Sequence, residues 1–388
     1  MKKAFTYPLI LILLILIACQ PAQEKKETND LKIMAYYVPS SVKGPEHLPL
    51  DKLTHIIFSF TEVIDHRMDF PYDQLALEMQ KLVTASEKYP DLKVMVACGG
   101  WGGSGGFSDM AANAENRKVF VDSVIEFIKK YNIDGLDLDW EYPGLPGNGN
   151  PHSPDDKDNF TLLVKELRQA MDNYKPGLEL TFAAAGWERY FDFIDLAEVM
   201  KSANYINMMT YDLTGGGAPV TGHHTNLKGL SLEQVGDTAQ VMLERLGYNY
   251  QRRSADDIIQ YCIEKGVSPQ QIVIGGAFYG KYWKGVDPMN NGLFQKHKGF
   301  AGTHSYARLK LLQEKDPNYQ RYWDDQAEAP YIYHQPDSLF ITYEDPESLQ
   351  LKTRYAIDSD LGGIMFWQLS QDTQEYELLN AIYSEARN

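Results

Sequence analysis

Cysteines and basic clusters are scarce in this sequence, and each scarcity excludes a class of protein. The chain has only 3 cysteines in 388 residues, too few for the disulfide framework of a small secreted domain. Cys98 and Cys262 lie far apart in apolar surroundings and are expected to be separate buried thiols. No basic run follows the first three residues, and the formal net charge is −16. Such a chain would repel nucleic-acid phosphates, so no nucleic-acid partner is expected.

Metal-ligand spacings are also missing. No arrangement of Cys, His, Asp or Glu along the chain matches a metal site, and neither a metal nor another cofactor is expected. The adjacent pair His223 and His224 lies in a glycine-rich loop. We interpret this pair as a loop contact rather than a zinc site. With 44% hydrophobic residues, the chain can nevertheless bury a large core, which excludes a disordered protein.

The N-terminus has the pattern of a processing signal. Two lysines precede an apolar run over residues 8–18, which is too short to anchor stably across a bilayer. The run ends in Leu16-Ile17-Ala18-Cys19, which resembles a bacterial lipobox. We expect a signal peptide over 1–18, a lipid anchor on Cys19 and a polar tether over 19–30. They would hold the protein in a bacterial cell envelope, at the outer membrane or cell surface. The alternative is an ordinary secretory signal with a chance cysteine.

From residue 31 onward, apolar runs of strand length alternate with helical patterns. Buried strands separated by helices are typical of a parallel sheet, and eight of them favour a closed (β/α)8 TIM barrel of the α/β class. We assign this barrel residues 31–388. The predicted strands are Lys32–Val38, His55–Phe60, Lys93–Cys98, Gly135–Glu141, Glu179–Ala185, Tyr205–Tyr211, Ile272–Tyr279 and Gly363–Leu369. The predicted helices cover 73–88, 116–131, 154–174, 191–202 and 254–265, and one begins at Asp345.

One connection is too long for this pattern. About 65 residues separate Gly280 from Asp345, where a strand-to-helix loop takes roughly two to six. The segment is rich in Tyr and Trp and contains strand-like pieces at Tyr331–Tyr333 and Leu339–Tyr343. We predict a small α+β insertion over 281–345, between strands seven and eight, that forms one wall of a cleft. A disordered insertion would not contain so many aromatic residues.

The fourth predicted strand carries three carboxylates. Side chains alternate along a strand, so Asp137, Asp139 and Glu141 share one face and the apolar residues between them share the other. Three like charges inside a barrel are costly to bury, and each raises the pKa of its neighbours. A carboxyl group held protonated near neutral pH is what a general acid requires. A metal site would need further ligands, and a solvated acidic strand does not fit the apolar alternation.

The segment from Asp134 to Glu141 resembles the Asp-x-x-Asp-x-Asp-x-Glu signature of family 18 glycoside hydrolases, the chitinases and their relatives. The resemblance covers nearly all of residues 31–385. The long insertion is similar to that of the deep-clefted chitinase subfamily. Other strand ends also resemble motifs of the family, namely Ala97-Cys98-Gly99-Gly100-Trp101, Met209-Thr210-Tyr211-Asp212, Phe278-Tyr279-Gly280 and Trp367.

The resemblance implies retaining, substrate-assisted hydrolysis of β-1,4 linkages in chitin or chitooligosaccharides. The substrate's own acetamido carbonyl would attack the anomeric carbon and form an oxazolinium ion. Glu141 would protonate the leaving oxygen and later deprotonate water. Asp139 would hydrogen-bond the acetamido N–H, and Asp137 would share a proton with Asp139. Tyr211 would orient the acetamido carbonyl, and Asp212 would contact the distorted sugar and modulate Glu141.

The same resemblance supplies candidates for substrate binding. Trp367 would form the apolar floor under the sugar at the cleavage point, and Trp101 would stack on the sugar on the leaving side. Further candidates are Tyr36, Phe60, Gly100, Met209, Tyr279 and Lys281. Some alternatives stay open: Phe60 and Met209 fit core or cleft wall better than chemistry, and Tyr36 either bonds Asp137 or only packs. Four tryptophans serve either distant subsites or the core: Trp101, Trp187, Trp283 and Trp323.

One position departs from the family pattern. Ala97 stands where the family often has a Ser that supports the first aspartate, so Asp137 is expected to rely on Tyr36 or water. Because Glu141 is intact, we expect an active enzyme, and a monomer. Two alternatives are an endo-β-N-acetylglucosaminidase acting on glycoprotein glycans and a non-catalytic chitin-binding lipoprotein. Relatives of the first type commonly lack the insertion, and lectin members have typically lost the acid.

Overall fold

The computed structural model describes Met1 and residues 31–39, 44–235, 240–241 and 253–388. The predicted signal peptide, Cys19 and the polar tether lie, except for Met1, outside the described residues. Within the part of the chain that is described, no helix is both long and apolar enough to cross a membrane.

Eight parallel strands close into a barrel, which confirms the predicted fold class. The strands, in chain order, are β1 (Lys32–Tyr37), β2 (His55–Ile64), β3 (Arg67–Asp69), β4 (Lys93–Gly99), β5 (Gly135–Asp139), β6 (Glu179–Ala185), β7 (Tyr205–Met209), β8 (Ile272–Ala277), β9 (Tyr279–Lys284), β10 (Gly299–Ser305), β11 (Tyr319–Asp324), β12 (Ala329–His334), β13 (Leu339–Thr342) and β14 (Gly363–Trp367). The barrel consists of β1, β2, β4 to β8 and β14, and β1 closes it by pairing with both β2 and β14. β3 only extends β2 as an antiparallel hairpin.

Four barrel strands end two residues earlier than predicted. β5, β7, β8 and β14 stop at Asp139, Met209, Ala277 and Trp367, because the backbone leaves the sheet there and turns into the loops at its C-terminal end. Residues predicted at strand ends, such as Glu141, therefore stand on the loops that form the mouth of the barrel.

The helices lie outside the barrel or in its loops. They are α1 (Asp73–Ser86), α2 (Gly100–Gly103), α3 (Phe107–Ala111), α4 (Ala114–Tyr131), α5 (Asp156–Tyr174), α6 (Leu196–Val199), α7 (Leu232–Val235), α8 (Ala255–Glu264), α9 (Tyr306–Lys315), α10 (Pro346–Asp358) and α11 (Glu377–Arg387). The prediction of one helix over 191–202 was wrong. A 3-10 turn at Glu188–Phe193 precedes α6, and Asp195 separates the two with a non-helical backbone and a side chain that caps the N–H of Glu198.

The apolar positions of β5 pack outward, as the alternation predicts. Beyond Leu136 and Leu138, Trp140 stacks on Phe107 with ring centroids 5.2 Å apart and meets Phe160 edge-on at 6.0 Å. These contacts fix the strand against α3 and α5, and so turn its carboxylates to the inside of the barrel. The cysteines 98 and 262 are both buried and free.

The insertion after β8 contains a five-stranded antiparallel sheet in the order β10-β9-β13-β12-β11, with α9 between β10 and β11. Its first strand begins at Tyr279, two residues before the predicted boundary. Trp283 is completely buried in this small core beside Phe340. Of the tryptophans left open by the sequence, Trp283 is therefore a core residue.

Candidate active site

A cleft of about 780 Å³ lies at the C-terminal end of the barrel, between the barrel loops and the insertion. Eleven of the thirteen predicted catalytic and substrate-binding residues line it: Tyr36, Phe60, Trp101, Asp139, Glu141, Met209, Tyr211, Asp212, Tyr279, Lys281 and Trp367. They come from loops or strand ends on six of the eight barrel strands and from β9. The closed barrel is what brings residues more than 300 positions apart into one wall.

The two other predicted residues support the cleft from behind. Asp137 is completely buried below it. Gly100 has a positive φ of 79°, and a Cβ atom at this position would lie 2.7 Å from the ring of Phe60. Gly100 thus makes room for Phe60 rather than contacting the cleft itself.

Asp137 is held by three side chains from three other strands. Tyr36 donates its hydroxyl to Oδ2 at 2.8 Å, while Thr181 and Asn207 donate to Oδ1 at 2.6 and 3.0 Å. Burial raises the pKa of Asp137 to about 6, although these hydrogen bonds act to lower it. Of the two alternatives that the sequence left open for Tyr36, the structure shows the hydrogen bond to Asp137. Thr181 and Asn207 supply the further donors to Asp137 that the Ala97 side chain cannot provide.

Asp139 stands between the other two carboxyl groups of the strand. It is 4% exposed, and its Oδ1 is buried without a hydrogen-bond partner among the described residues. Burial, followed by the negative charges of Glu141 and Asp137, raises the pKa of Asp139 well above its usual range. An unpartnered buried carboxylate oxygen is costly, so this group favours the protonated form until a donor from a ligand reaches it.

Glu141 lies at the mouth of the cleft, directly above Asp139 along the chain. It is 8% exposed, and burial raises its pKa to about 7. A hydrogen bond with Tyr142 acts to lower this pKa, and the charge of Asp212 acts to raise it. A carboxyl group with this pKa exists in both protonation states near neutral pH, as a residue that first donates and then accepts a proton requires.

The backbone around Glu141 is fixed by residues that sequence analysis did not single out. Its N–H donates to Oγ of Ser104 at 2.9 Å, and Asn150 donates to its carbonyl at 3.1 Å. The Ser104 hydroxyl also bonds the carbonyls of Asp139 and Gly100. These bonds join the loop after β5 to the loop after β4 and hold the carboxyl group in place.

Asp212 is anchored through one carboxylate oxygen. Tyr279 donates its hydroxyl to Oδ1 at 2.7 Å, and Nζ of Lys281 lies 2.9 Å from the same atom. Nδ1 of the fully buried His224 lies 3.6 Å from Oδ1 and 3.4 Å from the backbone nitrogen of Asp212. Burial would raise the pKa of Asp212, but His224 and the charge of Lys281 outweigh it and leave the pKa well below its ordinary value. Asp212, with its side chain half exposed, is therefore an anion at the mouth of the cleft.

Aromatic rings form the floor of the cleft. Trp367 stacks on Phe60 with centroids 5.4 Å apart and meets Tyr36 at 5.9 Å. Tyr211 is buried, and its ring contacts that of Tyr279 edge-on at 6.1 Å. The hydroxyl of Tyr211 has only a weak 4.0 Å contact to the sulfur of Met365, so it is available to a ligand.

Some partners in the site could have been found from strand alternation. Thr181 pairs with Asp137 in register across β5 and β6, and Asn207 points inward from β7. Polar residues at inward positions of a buried strand are the signal. His224 carries no such signal, because its loop has no regular period. Among the described residues, no group of three or more His, Cys, Asp or Glu is placed to hold a metal ion.

A TIM barrel with stacked carboxyl groups at its C-terminal mouth and an aromatic floor defines a glycoside hydrolase. The comparison with known protein families agrees, because residues 32–372 match the model of the Glycosyl hydrolases family 18. The chain therefore belongs to this family.

Individual relatives are similar over most of this chain. Chitinase A1 of Niallia circulans is 35% identical over 78% of this chain and 44% of its own length. Chitinase B of Serratia marcescens is 30% identical over 89% of this chain and 78% of its own length. A solved family 18 N-acetylglucosaminidase from Paenibacillus barengoltzii is 33% identical, with a TM-score of 0.81, over 92% of this chain and 99% of that one. The chain thus spans less than half of the first relative.

Proposed function

We propose that this protein is a chitinase that hydrolyses β-1,4 linkages in chitin or chitooligosaccharides by retaining, substrate-assisted catalysis. The observation that carries the proposal is the stack of Asp137, Asp139 and Glu141, in which burial raises the pKa of Glu141 to about 7 at the cleft mouth. The chitinase names of relatives at 30–35% identity support the substrate class.

In the first step, the proton of Glu141 passes to the glycosidic oxygen as the bond from that oxygen to the anomeric carbon breaks. The sugar that contains this anomeric carbon also carries the reacting acetamido group. Its acetamido carbonyl oxygen bonds to the anomeric carbon, so that an oxazolinium ion forms. Oδ1 of Asp139 has no partner in the described part of the chain and would accept the acetamido N–H. The proton that Asp139 gives up stays between it and Asp137, whose pKa is itself raised to about 6.

In the second step, the Glu141 carboxylate takes a proton from water. The resulting hydroxide attacks the anomeric carbon from the side that the leaving sugar occupied, and the acetamido group is released. Tyr211 would donate to the acetamido carbonyl oxygen, and Trp367 would support the apolar face of the sugar. Asp212, held at Oδ1, would present its other oxygen to the sugar.

The test compares wild type with Glu141→Gln on chitohexaose and on a high-mannose glycopeptide, with products identified by mass spectrometry. We expect shorter oligosaccharides from chitohexaose and a kcat lower by roughly 10²–10⁴-fold in Glu141→Gln, since the variant keeps the shape but loses the acid. Cleavage of the glycopeptide alone would favour the endo-β-N-acetylglucosaminidase. Binding of chitohexaose without turnover by wild type would favour the chitin-binding lipoprotein.

We also propose that Cys19 carries a lipid anchor that holds the catalytic domain, as a monomer, at the outer membrane or cell surface. The lipobox-like sequence and the polar residues 20–30 support this, and acyl chains that add about 0.8 kcal/mol per buried CH₂ would be sufficient for stable attachment. Cys19→Ala should release the protein from the membrane fraction, and size-exclusion chromatography of a form lacking residues 1–30 should give a single-chain mass.

A further inference from the structure

A second cavity of about 460 Å³ lies beside the cleft at the same end of the barrel. Its lining comes from the loop after β6, residues 186–192, and from the start of α8, residues 253–261. Of the described residues, only Trp187 lines both cavities. The size falls within the range of small-molecule sites, roughly 300–1,000 Å³.

A line of aromatic rings leads from the catalytic centre to this second cavity. Trp101, which is 52% exposed, meets Tyr142 with centroids 6.3 Å apart, and Tyr142 meets Trp187 at 5.2 Å. Tyr142 directly follows Glu141, the proposed acid that protonates the leaving oxygen, and Trp101 is expected to stack on the leaving-side sugar. The line of rings therefore begins on the leaving side of the cleft. Trp187 continues this line beyond Tyr142 and lines both the cleft and the second cavity.

The lining of the second cavity is polar and carries both signs of charge. Two arginines, Arg189 and Arg253, stand with three acids, Glu188, Asp192 and Asp257. Among the described residues, neither Arg189 nor the exposed acids at 188 and 192 form an ion pair. An anionic ligand would meet more acids than bases here, and a purely apolar ligand would leave these groups without water. A neutral ligand with many hydroxyl and amide groups can bond both kinds of side chain.

We propose that this cavity is a distal subsite that binds the leaving-side end of a β-1,4-linked N-acetylglucosamine chain after it passes over Trp187. The inference rests on the proposed function and deepens it, because it makes the length of the leaving chain a determinant of where the polymer is cut. Trp187 would stack on one sugar, and Arg189 and its neighbours would bond the hydroxyl and acetamido groups of the sugar beyond it.

The experiment measures cleavage of chitotriose and chitohexaose in ¹⁸O-labelled water. The label enters the new reducing end, so mass spectrometry gives both the rates and the position of each cut. The variants are Trp187→Ala, the ring-preserving Trp187→Phe and Arg189→Ala, which alters only the second cavity. Tyr72→Ala removes an aromatic that is 72% exposed and lines neither cavity, and it is the matched control.

We expect Trp187→Ala to lower the ratio of kcat/KM on hexamer to that on trimer by about tenfold, the upper range for one aromatic contact. Arg189→Ala should lower it by about threefold, as for one hydrogen bond. Both should move the cuts in the hexamer toward shorter leaving products, and Trp187→Phe should retain most of the wild-type ratio. An unchanged ratio and unchanged cut positions in both alanine variants would overturn the subsite and leave the proposed function standing.

If wild type cuts neither oligosaccharide, the proposed function fails, and calorimetric titration with chitohexaose tests the cavity by itself. Weaker binding to Arg189→Ala than to Tyr72→Ala would support the subsite. Equal binding to the two variants, or no binding to either, would overturn it.

Discussion

The anion at Asp212 is expected to move the alkaline limit of activity to higher pH. Burial is the main cause that raises the pKa of Glu141, and the charge of Asp212 raises it further. The ionised form of Asp212 is itself favoured by His224 and Lys281. Asp212→Asn removes the anion and leaves the Lys281 cation uncompensated. Both changes favour the ionised form of Glu141, so its pKa should fall.

The fraction of enzyme that is protonated at Glu141 follows from the pKa of this residue, which is about 7 against an ordinary value of 4.5. At pH 7 about half of the enzyme carries the required proton, whereas an unperturbed Glu would carry it in about 0.3% of molecules, a difference of about 160-fold. Above pH 7, wild-type activity should fall about tenfold per unit, because only the protonated form can donate. A lower pKa in Asp212→Asn must therefore shift this decline to lower pH.

The assay is the pH dependence of kcat/KM on a chitooligosaccharide, which reports ionisations of the free enzyme. Asp212→Asn should lower the rate as well, because Asp212 contacts the sugar in the proposed mechanism. Only the position of the alkaline limb tests the electrostatic argument. Asp172→Asn, in an exposed pair on α5, controls for a general change in charge. An alkaline limb that stays in place or moves to higher pH in Asp212→Asn would refute the reasoning.

Three further substitutions test the support of the site. Asn207→Ala removes a hydrogen bond that lowers the pKa of Asp137, so the acidic limb of kcat/KM should move to higher pH, as followed in the same pH series. Lys352→Met leaves the fully buried carboxylate partner of Lys352 uncompensated and should lower the free energy of unfolding in urea by about 3–5 kcal/mol. Gly100→Ala places a Cβ against Phe60 at a positive φ, which should cost about 1–3 kcal/mol of stability and lower kcat/KM by displacing the floor of the cleft.

Each of these has a result that would contradict it. An unchanged acidic limb in Asn207→Ala would mean that Asp137 does not titrate in the active range. If Lys352→Met unfolds at the same urea concentration as wild type, the ion pair with Glu344 does not contribute to stability. As a control, Lys352→Met combined with Glu344→Leu should recover part of the lost free energy of unfolding, because no buried charge is left unpaired. Wild-type activity in Gly100→Ala would show that the ring of Phe60 can shift freely.

Much of the fold could be predicted because its signals are local. Eight apolar runs and the helical spacing between them specify a parallel barrel. The predicted strand bounds differ from the observed ones mainly at the C-terminal ends, by two residues in four strands. The failed helix at 191–202 had apolar residues at suitable spacing. There the capping side chain of Asp195 competed with the helix, and that competition depends on backbone geometry rather than on periodicity.

The sequence by itself determined which side chains carry the proposed chemistry. Alternation along one strand places Asp137, Asp139 and Glu141 on one face, and this holds whatever surrounds the strand. Tertiary structure alone decided what each carboxyl group does. Asp137 takes its donors from residues 36, 181 and 207, and Asp212 is anchored by residues 224, 279 and 281. A pKa depends on burial and on partners a few ångströms away, and these are set when the barrel closes, not by neighbours along the chain.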